Sequence, residues 1–355
     1  MAKKSIKYAK KGAILVGLTS GIVNIFKQLN EIDTDSNKKF DYSKLLFSTL
    51  KGAVAGGVGG AVIGGIIDYK NDNQEKINLN KVINSIIKEN ILDKDDYLFQ
   101  SLSEKSDNLS QLIEEYYSIE IKNSILRMGS TEQGTSLSNN YDIDLLIPFK
   151  PGSFSSTEEM YYDLKEFISD NYEDVDLVKI RSQKKSIGLI FNIDGEDLKI
   201  DLVPLKITKK DDSSGYLFLN NKSLFQSNSY KKTDLLKVTE DQLTNTQKKV
   251  LIALKIWRDE NNVPISSHLL KLFILDAHNS NMDLNKKRIG LTNVLILIIS
   301  HIDESILTKR IVSNENSNNV VTDIHEADKE KIRRKTTKLL ADYEYNPNSI
   351  LRYFP

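Results

Sequence analysis

Apolar positions recur at helical spacing early in the ordered-looking text, where Val82, Ile83, Ile86, Ile87 and Ile91 would share one face. A second helical stretch, Leu109 to Leu126, places Leu112, Ile113, Tyr116 and Ile119 on one stripe and would run into a Gly-Ser turn at Gly129. The period then changes. Residues 143–149 read as a strand, and Glu158 to Asp170 as a helix with Tyr161, Leu164, Phe167 and Ile168 inward. Val175–Arg181, Ser186–Ile193 and Asp197–Pro204 read as strands, the last two joined by Asp194-Gly195, a hairpin signal. Residues 205–245 read as polar and irregular, with a loop at 211–215. From Thr246 onward the text is helical: through Lys255 and Trp257, from Pro264 through Leu269, Leu270, Phe273 and Ile274, over Leu291–Ile302 and over Lys329–Tyr343. Strands mixed with helices, followed by helices alone, predict an α+β chain.

Residues 1–70 have a different texture. A basic start, Met1 to Lys11, precedes an apolar run from Gly12 to Phe26. A polar spacer, Asn30 to Lys44, leads to a second run from Leu45 to Ile67. Lys11-Gly12-Ala13 matches Lys51-Gly52-Ala53, which suggests a duplicated helical hairpin. Gly52, Gly56, Gly60 and Gly64 fall at every fourth position, as do Ala13, Gly17 and Gly21. On a helix they form a groove of small residues where another backbone can approach. Each glycine costs a helix in water about 1 kcal/mol against alanine, so the segment needs a partner or lipid. The uncharged run after Lys51 is sixteen residues, short of the ~20 of a usual span. No small-x-small cleavage site follows the first run, so a signal peptide fits poorly. Three readings stay open: a self-associating or partner-docking hairpin, a bilayer hairpin, and a helical layer packed on the rest of the chain.

Composition removes several functions. The chain has 355 residues and no cysteine, which excludes disulfides, thiolate zinc sites and thiol nucleophiles. Lys+Arg and Asp+Glu both number 49, so a global footprint for long nucleic acid is absent, although a local basic groove is not excluded. His268, His278, His301 and His325 show no metal-ligand spacing.

The candidate chemistry lies in Gly129–Asp144, GSTEQGTSLSNNYDID. Asp142 and Asp144 leave one strand edge in the same direction, just after a Gly/Ser turn, and such a pair suits a divalent metal carrying a triphosphate. Asp201 is a third carboxylate in mid-strand, where a core sheet rarely has one.

Gly-Ser, a short loop, Gly-Thr, Asp-Ile-Asp on a strand and a later Asp in LKIDLVP resemble the polymerase-beta-like nucleotidyltransferase superfamily. Within it the chain is similar to the branch of archaeal-type CCA-adding enzymes, oligoadenylate synthases and cGAS/DncV-like bacterial enzymes, including the antiphage CBASS and Hailong types. The likeness covers about residues 80–343. It implies a palm of mixed sheet and helices over 71–215 and a helical substrate domain over 216–355, after the glycine-zipper hairpin of 1–70. It implies two Mg²⁺ or Mn²⁺ ions on Asp142, Asp144 and Asp201, with the third carboxylate on the acceptor side. Gly129, Ser130 and Thr135 would meet the triphosphate, as would Lys255 and Ser267 from the helical half. The implied substrates are nucleoside or deoxynucleoside triphosphates, and the implied product is a short oligonucleotide for an effector protein, membrane-bound or not. With no cysteine for a zinc thumb and no tail domains for tRNA, the bacterial defence group fits best. Priming from a tyrosine of the enzyme is a second expectation, for which Tyr8, Tyr343, Tyr345 and Tyr353 are candidates. Nucleotidylation of a partner protein is a third. The expected location is the cytoplasm, with residues 12–67 carrying any membrane association or homo-oligomer contact.

Overall fold

The structure, a computed structural model, describes residues 77–209, 213–220, 229–234, 243–280, 289–313 and 316–355, with 316–319 as backbone only. The glycine-rich hairpin and Tyr8 lie outside the described residues.

Helix α1 (Leu79–Asn90) starts at Asn78, whose side chain accepts from the Lys81 amide, and buries Ile83, Ile86 and Ile87. Helix α2 (Tyr97–Tyr116) starts at Asp96, whose carboxylate accepts from the Leu98 and Phe99 amides. It ends at Tyr116 and does not continue to Leu126. The apolar residues past that point serve the sheet instead. Ile121 bridges Phe149, and Leu126–Met128 forms strand β1. The turn between them holds Asn123 at φ 67°, outside the helical region. Ile119, predicted inward, is 78 % exposed.

The sheet continues with β2 (Asp142–Phe149), helix α4 (Thr157–Asn171, after the single turn α3, Gly129–Glu132), β3 (Leu177–Ser182), β4 (Ile187–Ile193) and β5 (Glu196–Ile207). The order is β1-β2-β5-β4-β3. Among the described strands only β2 and β5 run parallel; the other neighbours are antiparallel. Asp194 (φ 52°) and Gly195 (φ 89°) make the predicted tight turn between β4 and β5, with two left-handed residues as a type I′ hairpin needs.

The stretch predicted irregular over 205–245 carries more sheet. β5 runs to Ile207, β6 (Ser214–Leu219) pairs with its end, and β7 (Ser229–Asp234) pairs with β6. β7 reads SYKKTD and is mostly exposed. A lysine-bearing edge strand lacks the apolar alternation that reveals a half-buried one.

The two sheet faces differ. Ile143, Leu145 and Ile147 of β2, with Ile200 and Leu202 of β5, pack under α2 and α4 in one core. The alternate positions, Leu146, Val203, Leu205 and Leu217, make a small apolar strip on the other face. That face looks toward a helical layer: α5 (Asn245–Glu260), α6 (Ser267–Asn279), α7 (Leu291–Ser305) and α8 (Glu326–Tyr345). A second core fills this layer around the fully buried Trp257. Helix α1 precedes the sheet in sequence but packs against α5 and α7. Between α7 and α8 lies a short hairpin of β8 (Val312–Ser313) and β9 (Asn316–Val320). Among the described residues no helix is long and apolar enough to cross a membrane.

Candidate active site

The parallel pairing of β2 and β5 builds the acidic cluster. Its register sets Asp144 directly opposite Asp201, and Asp142 lies two residues away on the same face. Carboxylate oxygens of Asp142, Asp144 and Asp201 lie within 4.8 Å of one another. No other cluster of this kind occurs among the described residues. Burial and then the neighbouring Asp142 and Asp201 push the Asp144 carboxyl from its usual 3.8 up to about 8. Asp201 is also raised, chiefly by burial, with Asp142 adding and hydrogen bonds from Gln183 and Ser186 opposing. Three hard oxygen donors that repel one another fit a hard divalent cation, which supplies the missing positive charge.

Gly129 explains how Asp144 reaches this position. It has φ +82°, and a Cβ there would stand 2.0 Å from Asp144 Oδ2. The loop after it is closed by hydroxyls. Ser130 Oγ lies 2.6 Å from Ser136 Oγ, and Thr131 Oγ1 donates to the Asp142 carbonyl at 2.5 Å. The Thr135 amide donates to the Ser130 carbonyl at 2.8 Å, which returns the chain toward β2.

A cleft of about 370 Å³ separates this loop and the front of the sheet from α5 and α6. Gly129, Ser130, Thr135, Asp144, Lys255 and Ser267 all line it. Asp142 and Asp201 belong to the carboxylate cluster beside it. Lys255 is buried, and its ammonium donates to the Thr135 carbonyl at 2.8 Å. Burial, with Arg258 nearby, lowers its pKa to about 8, while Asp142 works in the other direction. Ser267 Oγ accepts from Arg258 Nη1 at 2.7 Å.

Three further residues with basic side chains line the cleft: Lys185, His268 and Lys271. Sequence reasoning missed them. Lys271 donates to Gln133 Oε1 at 3.3 Å. Its one available signal was its place four residues after Ser267, on the same helix face. Lys185 looks like any turn lysine in the text. Among the tyrosine candidates, Tyr353 is buried and donates its hydroxyl to Asp342 at 2.6 Å, whereas Tyr345 is 62 % exposed.

A mixed sheet with acidic residues on adjacent parallel strands thus faces a helical layer across a lysine-lined cleft. In fold this is similar to solved structures of CD-NTases. The chain is similar to the Bradyrhizobium diazoefficiens CD-NTase CdnG, solved with GTP, at 12 % identity and a TM-score of 0.60, over 78 % of this chain and 94 % of that one. It is similar to CdnC of E. coli MS115-1, solved with ATP, at 17 % identity and a TM-score of 0.58, over 77 % and 95 % of the two chains. The Elizabethkingia meningoseptica cyclic dinucleotide synthase CdnE, solved with GTP and Apcpp, matches at 12 % identity and a TM-score of 0.51, over 73 % and 96 %. At these identities the likeness is one of fold. No family model and no curated protein matches the sequence.

Proposed function

We propose that this protein is a metal-dependent, template-independent nucleotidyltransferase. It joins NTPs or dNTPs into a short oligonucleotide signal in antiphage defence and releases pyrophosphate. The observation that carries the reading is the register of Asp144 against Asp201 beside a cleft lined with lysines. The resemblance to the defence enzymes and the nucleotides bound by the similar structures support it.

In the reaction the acceptor hydroxyl oxygen bonds to the α-phosphorus of a triphosphate. The bond to the β-phosphate oxygen breaks, and pyrophosphate leaves. Two Mg²⁺ or Mn²⁺ ions, when bound, supply activation of that hydroxyl and neutralise the leaving charge. Asp142 and Asp144 would hold both ions, and Asp201 would complete the one on the acceptor side. Gly129 and Ser130 let the phosphates approach the backbone, with Thr135 closing the loop beneath them. Lys255, Ser267 and Lys271 present charge and hydrogen bonds from the helical side. Lys255, with a pKa near 8, is mainly protonated at neutral pH. The product would act on an effector protein. Self-association or docking at a membrane or partner is assigned to residues 12–67, with the enzyme otherwise in the cytoplasm.

The test is incubation of the purified full chain with each labelled NTP and dNTP and with Mg²⁺ or Mn²⁺. Oligomer and pyrophosphate should form and should vanish in Asp142→Ala. No product with any nucleotide would overturn the reading. Intact mass from the same reaction separates free product from product grown on a tyrosine such as Tyr345.

A further inference from the structure

Strands β3 and β4 are joined by a short turn, Gln183 to Ser186, whose first and last side chains reach the third carboxylate. Gln183 Nε2 donates to Asp201 Oδ1 at 2.8 Å. Ser186 Oγ lies 3.1 Å from Gln183 Oε1 and 3.4 Å from Asp201 Oδ2. A hydroxyl has one proton, and the shorter contact is to the amide oxygen. Ser186 therefore sets which way the Gln183 amide faces, and that orientation presents the NH₂ to Asp201.

The turn itself is fixed. The Gln183 amide donates to the Ser186 carbonyl at 2.9 Å. Tyr161, fully buried on α4, donates its hydroxyl to the Ser186 carbonyl at 2.8 Å and accepts from the Gln183 amide at 3.1 Å. The Lys184 carbonyl accepts from the Asn220 amide at 2.9 Å. On β4, Gly188 pairs with Asp201, and a Cβ at Gly188 would come within 2.2 Å of Gln183 Nε2. The glycine thus leaves the space that the amide fills. Asp142 and Asp144 show no such side-chain clamp among their described contacts; Asp144 is instead shaped by Gly129.

We propose that Gln183, oriented by Ser186, is a positioning residue that holds the Asp201 carboxylate to receive the acceptor-side metal ion. The inference rests on the metal-dependent reading given above. A carboxylate with one oxygen tied down offers the other at a fixed angle, and Mg²⁺ demands near-ideal ligand geometry. Partners that orient a metal ligand are worth about 10–100-fold in metal affinity. Gln183 touches neither substrate nor the reacting atoms in this role.

The experiment is Mn²⁺ titration, read by the electron paramagnetic resonance signal of free Mn²⁺, with a non-hydrolysable triphosphate present. The wild-type protein should bind two ions. Gln183→Met, which keeps the side-chain length and removes the amide, should bind the first ion unchanged and the second about 10–100-fold more weakly. Ser186→Ala should shift the second ion in the same direction by less. Gln183 is half-buried, so the metal-free melting temperature of Gln183→Met should stay near that of the wild type. If it does not, Ser186→Ala carries the test. Second-ion affinity within twofold of wild type in both variants overturns the proposal alone. A wild-type protein that binds fewer than two ions overturns the two-metal reading on which it rests.

Discussion

Asp144 is a carboxyl that burial and two neighbouring carboxylates hold far from its ordinary titration. Its raised pKa means that the folded protein keeps a proton that the unfolded chain loses between about pH 4 and pH 8. Stability without metal should therefore fall as pH rises through that window. Melting temperatures measured in EDTA should be higher at pH 5 than at pH 8, and Asp144→Asn should flatten the slope. A wild-type protein as steep as the variant would contradict the account. Gly129 is the second sensitive position. In Gly129→Ala the new methyl collides with the Asp144 carboxylate, and the left-handed backbone adds about 1 kcal/mol of strain. Activity should drop about 100-fold or more, since a displacement on the order of 1 Å at a reacting centre costs that much, while circular dichroism stays native. Both aspartates of β2 were legible in the sequence, because two carboxylates two residues apart after a Gly/Ser turn leave a strand on one face, and Asp201 because a core sheet rarely carries a carboxylate in mid-strand. Gln183 and Ser186 were not: in RSQKKSIG they have the composition of an ordinary turn, and only the distance to Asp201 sets them apart.

At the scale of elements, α5 joins the two halves of the cleft. Its start is secured by a capping box, in which Thr244 accepts from the Gln247 amide and Gln247 reaches back to the Thr244 amide. Thr244→Ala should cost about 1 kcal/mol in urea unfolding and leave nucleotide binding intact. Lys255, about one and a half turns from the end of the same helix, should behave in the opposite way. Lys255→Met removes a buried charge whose folded pKa lies below its unfolded value of 10.5, so wild-type stability rises with pH between about 8 and 10.5 and the variant's does not. Calorimetry with a non-hydrolysable triphosphate should show affinity reduced about tenfold, the scale of one charge-assisted contact. Periodicity found these helices because each buries an apolar stripe. It failed at β1, β6 and β7, three to six residues long, which are held by their neighbours rather than by strict alternation of their own. It also misjudged the end of α2, where helical spacing continued in residues that the sheet takes.

Across the whole molecule, two cores meet at the cleft, and the chain crosses between them more than once. The palm implied over 71–215 would take α1 with the sheet, but α1 packs in the helical layer. Local patterning says which face of a helix is apolar and nothing about which neighbour covers it. The single tryptophan, Trp257, reports on this arrangement because it is fully buried in the core that α1 completes. A chain beginning at residue 77 should keep the emission of a buried indole. A chain beginning at residue 91 should shift to the red, and the absence of that shift would mean that the helical core stands without α1.

That helix has a mechanical consequence. Near its start, Asn80 accepts from the Thr292 amide at 2.9 Å, which ties it to α7. At its far end the Leu92 amide donates to the Ser136 carbonyl at 3.0 Å, and the Ser138 amide donates to the Asn90 carbonyl at 2.9 Å. Ser136 is the residue whose hydroxyl holds Ser130. Helix α1 is thus a tie rod about 18 Å long, attached at one end to α7 and at the other to the loop beside the carboxylates. A substitution that loosens either end of this rod would therefore be felt at the other, between α7 and the loop that carries Ser130.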